Sequence, residues 1–340
     1  MATIREVAKH AGVSIGTVSK VLNGSDERVD PASKERILST IRALRYKPPP
    51  FEKNQKSAIA HNIGMIVPHL TEQPLRRHSY IHLLLDGVLE LAAFRGWSVT
   101  IFAERMWDDV GNAVRRKYDG RCDGLVVVAP QPDQDIVPSL HDRGAPVVQI
   151  GSTAWLEDVS SVDLDNYEVG RMIAKHFMEL GHKRLGFVTS VGEQVSSKER
   201  YEGFCEAVGK RIPRFLLNRD EAPVKLAQRI AAVGKGRPTA LLCWNDGIAI
   251  QLHEALRSLG YLIPSDFSIA GVDDSYLEQD RGIRLTTIPN PLHEIGLKSA
   301  EMTINRVLDP TLPREIIKFP PSLIVRESTG PVPCSARHPL

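Results

Sequence analysis

The chain has 340 residues, long enough for two or three compact units, and its 42% hydrophobic and 25% charged residues give an ordinary globular balance. No apolar run approaches the ~18 residues of a membrane span, and the N-terminal "TIREVAKH" lacks the apolar core of a secretory signal, so a cytoplasmic protein is expected. The net charge is +2, but residues 1–60 hold 11 Lys and Arg against 6 Asp and Glu, whereas the rest holds 32 against 35. A basic terminal module on a mildly acidic body points to a polyanionic partner for the module. The four cysteines, Cys122, Cys205, Cys243 and Cys334, are scattered without a C-x-x-C, which speaks for reduced thiols and against a disulfide or metal framework.

The first sixty residues predict three short helices. Thr3 and Glu6 have the spacing of a capping box, and Ile4, Val7, Ala8 and Ala11 recur at helical spacing behind it. Gly12 permits a tight turn, and Ser14 is placed to cap a second helix, with Val13 and Val18 as its hydrophobic staple. Gly24 follows its end, and Asp30-Pro31 opens a third helix whose buried face is Ile37, Leu38, Ile41 and Leu44. Within this pattern "GVSIG" matches the G-x-S-x-G of a hydrolase nucleophile elbow. That motif needs a buried strand before the serine and a sheet beneath it; a helix thirteen residues into the chain leaves no room for either. The second helix buries Val18, Val21 and Leu22 and shows Ile15, Gly16, Ser19, Lys20 and Asn23. Such a face suits the recognition helix of a helix-turn-helix. Lys20 can donate to guanine, Ile15 can pack on a thymine methyl, and Gly16 allows close approach.

The stretch "TIREVAKHAGVSIGTVSKVLN" resembles the DNA-binding headpiece of the lactose/galactose repressor (LacI/GalR) family at every fixed position of that pattern. The resemblance implies that Ile15, Gly16 and Lys20 select the operator. It implies that Thr3, Ser14, Thr17, Ser19, Asn23 and Ser33 mostly contact phosphates, with Arg28 and Tyr46 as further DNA-facing positions. Base contacts set sequence choice, and phosphate contacts set register and salt dependence. The linker, "YKPPPFEKNQKSAIAHNIG", departs from the family pattern. Pro49 stands for its asparagine, Glu52 for its alanine and Gln55 for its minor-groove leucine. Three prolines favour polyproline II, Glu52 repels phosphate and Gln55 is a poor apolar wedge, so weak or absent kinking of the operator is predicted.

From Asn62 onward apolar runs alternate with helical stretches. "NIGMIVP", "WSVTIFA", "CDGLVVVAP" and "APVVQIG" read as strands; a second series begins with "SSVDLDN" and continues with "RLGFVTS", "PTALLCWND" and "FSIAGVDD". The expected fold class is an all-α helix-turn-helix headpiece followed by α/β: two doubly wound parallel-sheet lobes. The resemblance continues through "VDLDNYEVGRMIAKHFMELGHKRLGFV", "RYEGF" and "LIVREST" to about residue 330, and is shared more loosely with periplasmic sugar-binding proteins. It implies a headpiece over 1–47, a hinge over 48–61, and an effector-binding and dimerisation body over 62–330. Lobe 1 would be about 62–160 plus 289–320 and lobe 2 about 161–288 plus 321–330, with a tail over 331–340.

Ligands of such sheets bind outside the carboxyl ends of the strands. Carried over by motif, Arg200 of "RYEGF" and Asp246 of "WND" are the first candidates for effector contact; the competing reading of each is a structural ion pair. Asn290 after "LTTIP" and Tyr80 complete the set. Arg76, Arg77 and His78 would favour a sugar acid or phosphosugar over a neutral sugar, unless that run is only a solvated loop. Asp273-Asp274 follows a strand at a turn, where bonding to local backbone is expected. "GKGRP" lacks phosphate-loop spacing, and the 11 histidines show no paired-ligand spacing, so neither metal, cofactor nor catalysis is expected. The reading is a repressor that binds pseudo-palindromic double-stranded operator DNA as a homodimer, under control of a sugar, sugar acid or phosphosugar. The alternative is a sugar-binding transport-type protein without DNA binding.

Overall fold

The computed structural model describes residues 3–23, 29–44, 46, 59–67, 79–102, 121–130, 136–142, 144–151, 159–190, 194–218, 220–274 and 283–332. Arg28, the hinge positions Pro49, Glu52 and Gln55, the run Arg76 to His78 and residues 333–340 lie outside these.

The N-terminal module consists of α1 (Ile4–Ala11), α2 (Ile15–Asn23) and α3 (Pro31–Ala43). Each start has the cap its sequence announces. Thr3 and Glu6 close a reciprocal capping box, and Asp30 Oδ1 accepts from the Ser33 N–H at 2.9 Å with Pro31 behind it. Gly12 takes the left-handed conformation at φ 66°, which ends α1 and sets up the turn into α2. Val7, Ala8, Ala11, Val18, Val21, Ile37 and Ile41 form one buried cluster. Two expectations change here. Leu38, assigned to the buried face of α3, is 37% exposed, because Ile37 and Ile41 already fill the space against α1 and α2. Tyr46, expected at the DNA, has its ring in the module's core, and burial raises its phenol pKa.

The chain divides into two compact units. One comprises Met1–Pro74, Leu84–Val162 and Gly296–Ile316; the other comprises Leu75–Leu83, Asp163–Ile295 and Ile317–Leu340. A six-stranded sheet has the order β10-β5-β4-β3-β1-β2, with β1 Asn62–Ile66, β2 Ser98–Phe102, β3 Gly124–Val128, β4 Val147–Ile150, β5 Ser160–Leu164 and β10 Ile316–Phe319. β1 pairs in parallel with both β2 and β3, and β4 with both β3 and β5. β3 is buried along its whole length, as a parallel strand covered on both faces must be. α4 (Ser79–Phe94), α5 (Ile136–His141) and α10 (Leu292–Leu308) accompany it. α4 and α10 cross at backbone contact, since a Cβ on Gly296 would lie 2.3 Å from the Leu84 carbonyl oxygen.

The second unit holds a four-stranded parallel sheet in the order β7-β6-β8-β9: β6 Leu185–Ser190, β7 Arg214–Leu217, β8 Ala240–Cys243 and β9 Ser268–Ala270. Its helices are α6 (Asn166–Glu179), α7 (Val195–Val208), α8 (Pro223–Ala231) and α9 (Asp246–Ser258). "SSVDL", expected to open the second series, instead pairs with β4, Val148 opposite Ser160. Apolar alternation identifies a strand but does not name its neighbour. The strands β7 and β10 were not foreseen: each lies at a sheet edge with alternate residues exposed, so neither leaves a continuous apolar run.

Candidate functional site

Two arrangements of side chains stand out, one on the N-terminal module and one in the second unit. On the module, the Ser14 hydroxyl accepts from the Thr17 N–H at 3.0 Å and lies 2.8 Å from the Thr17 hydroxyl, so Ser14 caps α2 as its position predicts. Ile15 is 45% exposed although isoleucine is costly to leave in water, and Gly16 and Lys20 are exposed beside it. Thr17 and Ser19 are half-buried, and Thr3 is exposed at the start of α1. Ser33 departs from its phosphate-facing assignment. It is buried, and its hydroxyl accepts from Arg36 Nη2 at 2.7 Å, so this pair presents the exposed guanidinium of Arg36 to solvent. The sequence signal for Arg36 was available: it lies three residues past Ser33 on the same helix face.

In the second unit, charged side chains gather at the carboxyl ends of strands. Arg200, on α7, is 4% exposed; its Nε donates to Asn166 Oδ1 at 2.9 Å and its Nη1 donates to the Trp244 carbonyl. The electrostatic neighbours of this guanidinium are Asp273, Asp163, Tyr80 and Asp246, and they offset part of the desolvation that lowers its pKa. Asp163 lies near the end of β5. Burial is the largest influence on it and raises its pKa to about 7, against the Leu164 N–H and the Arg200 charge, which pull it down. Its Oδ1 accepts from the Leu164 N–H and its Oδ2 from Asn166 Nδ2, each at 2.8 Å. Asp273, just past β9, is likewise raised by burial and held back by Arg200 and Asn290. Burial and the charges of Asp163 and Asp273 push the Tyr80 phenol well up, so it is a neutral hydrogen-bonding group.

Four effector residues were expected from sequence. Tyr80, Arg200 and Asn290 enter this cluster. Asn290 is buried, donates to Asp273 Oδ1 at 3.3 Å, and its Oδ1 has no hydrogen-bond partner among the described residues. Asp246 differs. At the first turn of α9 it is 3% exposed, with Oδ1 accepting from the Thr287 hydroxyl at 2.7 Å and Oδ2 from the Asp274 N–H at 2.8 Å. Its carboxylate ties α9 to two loops through these neutral donors, and not through the ion pair that was its structural alternative. Asp273 and Asp274 are the reverse case. Both have positive φ, 125° and 49°, as a turn requires, and their side chains reach partners far along the chain. Asp273 faces Arg200 and Asn290; Asp274 takes both Nη atoms of Arg326, at 2.6 and 3.0 Å. Asp163 went unremarked in the sequence, although a carboxylate inside an otherwise buried strand was a visible anomaly.

Two carboxylates, a guanidinium, a phenol and an amide carbonyl are thus gathered in one buried polar cluster of the second unit. No group of three or more His, Cys, Asp or Glu among the described residues could hold a metal ion. Together, a capped helix-turn-helix and an α/β body with a buried polar site define a ligand-responsive DNA-binding transcriptional regulator.

Known proteins agree with that class. Residues 3–49 match the profile of bacterial regulatory proteins of the lacI family, and residues 174–329 match a periplasmic binding protein-like domain. The HTH-type transcriptional repressor PurR of Photobacterium profundum is 29% identical over 345 residues, covering 96% of this chain and 98% of that protein. Among solved structures, a transcriptional regulator CelR–cellobiose complex superposes with a TM-score of 0.73 at 25% identity over 96% of this chain and all, 100%, of that one. The lac repressor dimer bound to operator and the anti-inducer ONPF has the same fold, with a TM-score of 0.68 at 23% identity over 97% of this chain and 99% of that one. Residues 3–49 thus resemble the DNA-binding domain of the lacI family, ahead of a periplasmic binding protein-like domain. The chain's relatives are repressors and not enzymes. Among the described residues no helix is long and apolar enough to cross a membrane.

Proposed function

We propose that the protein is a cytoplasmic repressor that binds a pseudo-palindromic operator as a homodimer and releases or tightens it in response to a small polyhydroxylated effector. The observation that carries the DNA-binding part is the exposed edge of α2. Ile15, Gly16 and Lys20 stand in water, while the helix behind them is fixed by the Ser14 cap and by Val18 and Val21 in the core. A rigid helix offering one cation and one apolar side chain at its N-terminal end suits the edges of guanine and thymine. Thr3, Thr17, Ser19 and Arg36 would set its register on phosphates, and the side chain of Asn23 lies outside the described residues.

The effector reading rests on Arg200, Asp163, Asp273, Asn290 and Tyr80. Acceptors outnumber the single cation, and the Asn290 carbonyl lacks a donor, which favours a ligand rich in hydroxyl donors. A neutral sugar fits this better than the sugar acid or phosphosugar suggested by Arg76, Arg77 and His78. The CelR structure holds cellobiose, which agrees in chemical class. The second copy is supported by apolar side chains that remain in water: Phe94 at 85%, Leu89 at 43% and Ile101 at 41% exposure, with Ile101 on the edge strand β2.

The test is selection of bound duplexes from a random-sequence library with the full chain, followed by calorimetry against neutral sugars and their acids. The reading expects an inverted repeat, and heat from neutral sugars that disappears in Arg200→Ala. Selection without an enriched motif would refute the DNA-binding part, and binding of acids alone would refute the effector class.

A further inference from the structure

The hydrogen bonds around the start of the body single out a residue that no comparison assigns. Asp123, between the buried Cys122 and β3, is 5% exposed. Its Oδ1 accepts from the Ala60 N–H and its Oδ2 from the Asn62 N–H, both at 3.1 Å, while its own N–H donates to the Asn62 carbonyl at 2.7 Å. Ala60 and Asn62 are separated by His61, which adopts the left-handed region at φ 54°, so one carboxylate bridges two N–H groups across a bend. The bend is held from its other side as well. The His61 carbonyl accepts from the Ser98 N–H at 2.7 Å, and the imidazole meets the Trp97 ring edge-on, with centroids 5.1 Å apart. The Asn62 side chain donates to the Arg121 carbonyl at 2.8 Å and to the Thr100 hydroxyl at 3.0 Å. Three successive backbone positions are thus fixed where the linker from the DNA-binding module arrives.

We propose that Asp123 is a positioning residue that fixes the point at which the linker joins the first unit, and so sets the tether length of the DNA-binding module. This rests on the DNA-binding, homodimeric reading above. Two modules on one dimer gain from each other through effective concentration, which is greatest when the tethers match the span between half-sites and falls as they lengthen. Releasing the Ala60 and Asn62 N–H groups loosens the entry to β1 and so adds freedom to each tether without touching either module. Asp123 therefore affects binding to two half-sites, and leaves binding to one half-site as it is.

The experiment uses the full chain, the duplex recovered by selection with the unaltered protein, and the same duplex with one half-site scrambled. Asp123→Ala is expected to bind the intact duplex about tenfold more weakly and the scrambled one within about twofold of the unaltered protein. Backbone amide exchange at Ala60 and Asn62 accelerates in the same variant. Asp123→Asn keeps the side-chain volume and one acceptor, gives an intermediate effect on both readouts, and carries the test if the alanine variant does not fold. Equal weakening on both duplexes, or unchanged affinity once the amides have been freed, overturns the proposal. If selection yields no preferred duplex, the DNA-binding reading fails, and unchanged exchange at Ala60 and Asn62 in either variant still refutes the anchor.

Discussion

Lys20 and Asp163 show how differently one side chain can act in water and in the interior. Lys20 is exposed on α2 with its charge available, and a lysine–guanine contact discriminates by about 1–3 kcal/mol against a wrong base. Lys20→Ala is therefore expected to weaken operator binding and relax preference at one position of each half-site, as read by comparing selected motifs. If affinity falls equally on all sequences, Lys20 is a phosphate contact instead. Asp163 lies in the interior, where burial raises its pKa to about 7 from an ordinary 3.8. A carboxyl raised on folding favours the folded state fully below its unfolded pKa, and that contribution is lost as pH rises through about 7. Asp273 is shifted in the same direction. Urea midpoints of the unaltered protein and Asp163→Asn should thus differ in pH dependence between about 4 and 7. The variant loses less stability across that window. Parallel curves would show that Asp163 is not held protonated in the folded state.

At the scale of elements, the position of Arg200 follows from two glycines. α6 and α7 pack with their backbones touching: a Cβ on Gly170 would lie 2.0 Å from the Arg200 carbonyl oxygen, and one on Gly203 would lie 1.9 Å from the Tyr167 carbonyl oxygen. Neither obstacle is a flexible side chain, so the helices must separate to admit a methyl group. Gly170→Ala is expected to cost about 2–3 kcal/mol in urea unfolding and to displace the guanidinium from Asn166. A cost below about 0.5 kcal/mol would mean that the helices slide freely. The three helices of the N-terminal module, their caps and most of the strands were legible in the sequence, because Thr3, Ser14 and Asp30 act on residues three positions away. The partner of β5 and the edge strands β7 and β10 were not, since pairing joins residues far apart in the chain. The same divide runs through the buried polar cluster. Arg200 could be carried over from a motif, but the different partners of Asp246 and Asp273 include Thr287 and Asn290, which only folding brings near them.

At the scale of the whole molecule, DNA and effector are linked. Whatever factor the effector applies to operator affinity, the operator must apply to effector affinity. The proposed second copy would seat on the exposed apolar side chains of α4 and β2. Phe94→Glu is expected to shift the sedimentation profile from dimer toward monomer and to lower affinity for a two-half-site duplex. An unchanged profile would place the interface elsewhere. The central claim, that α2 reads a specific duplex, is tested most directly by fluorescence anisotropy titration of the full chain. The titration compares the selected duplex with a scrambled one over a series of salt concentrations. The account predicts that affinity falls steeply and linearly on logarithmic axes as salt rises. It also predicts a preference for the selected duplex of at least about a thousandfold near physiological salt. Equal affinity for both duplexes, or binding indifferent to salt, would contradict it.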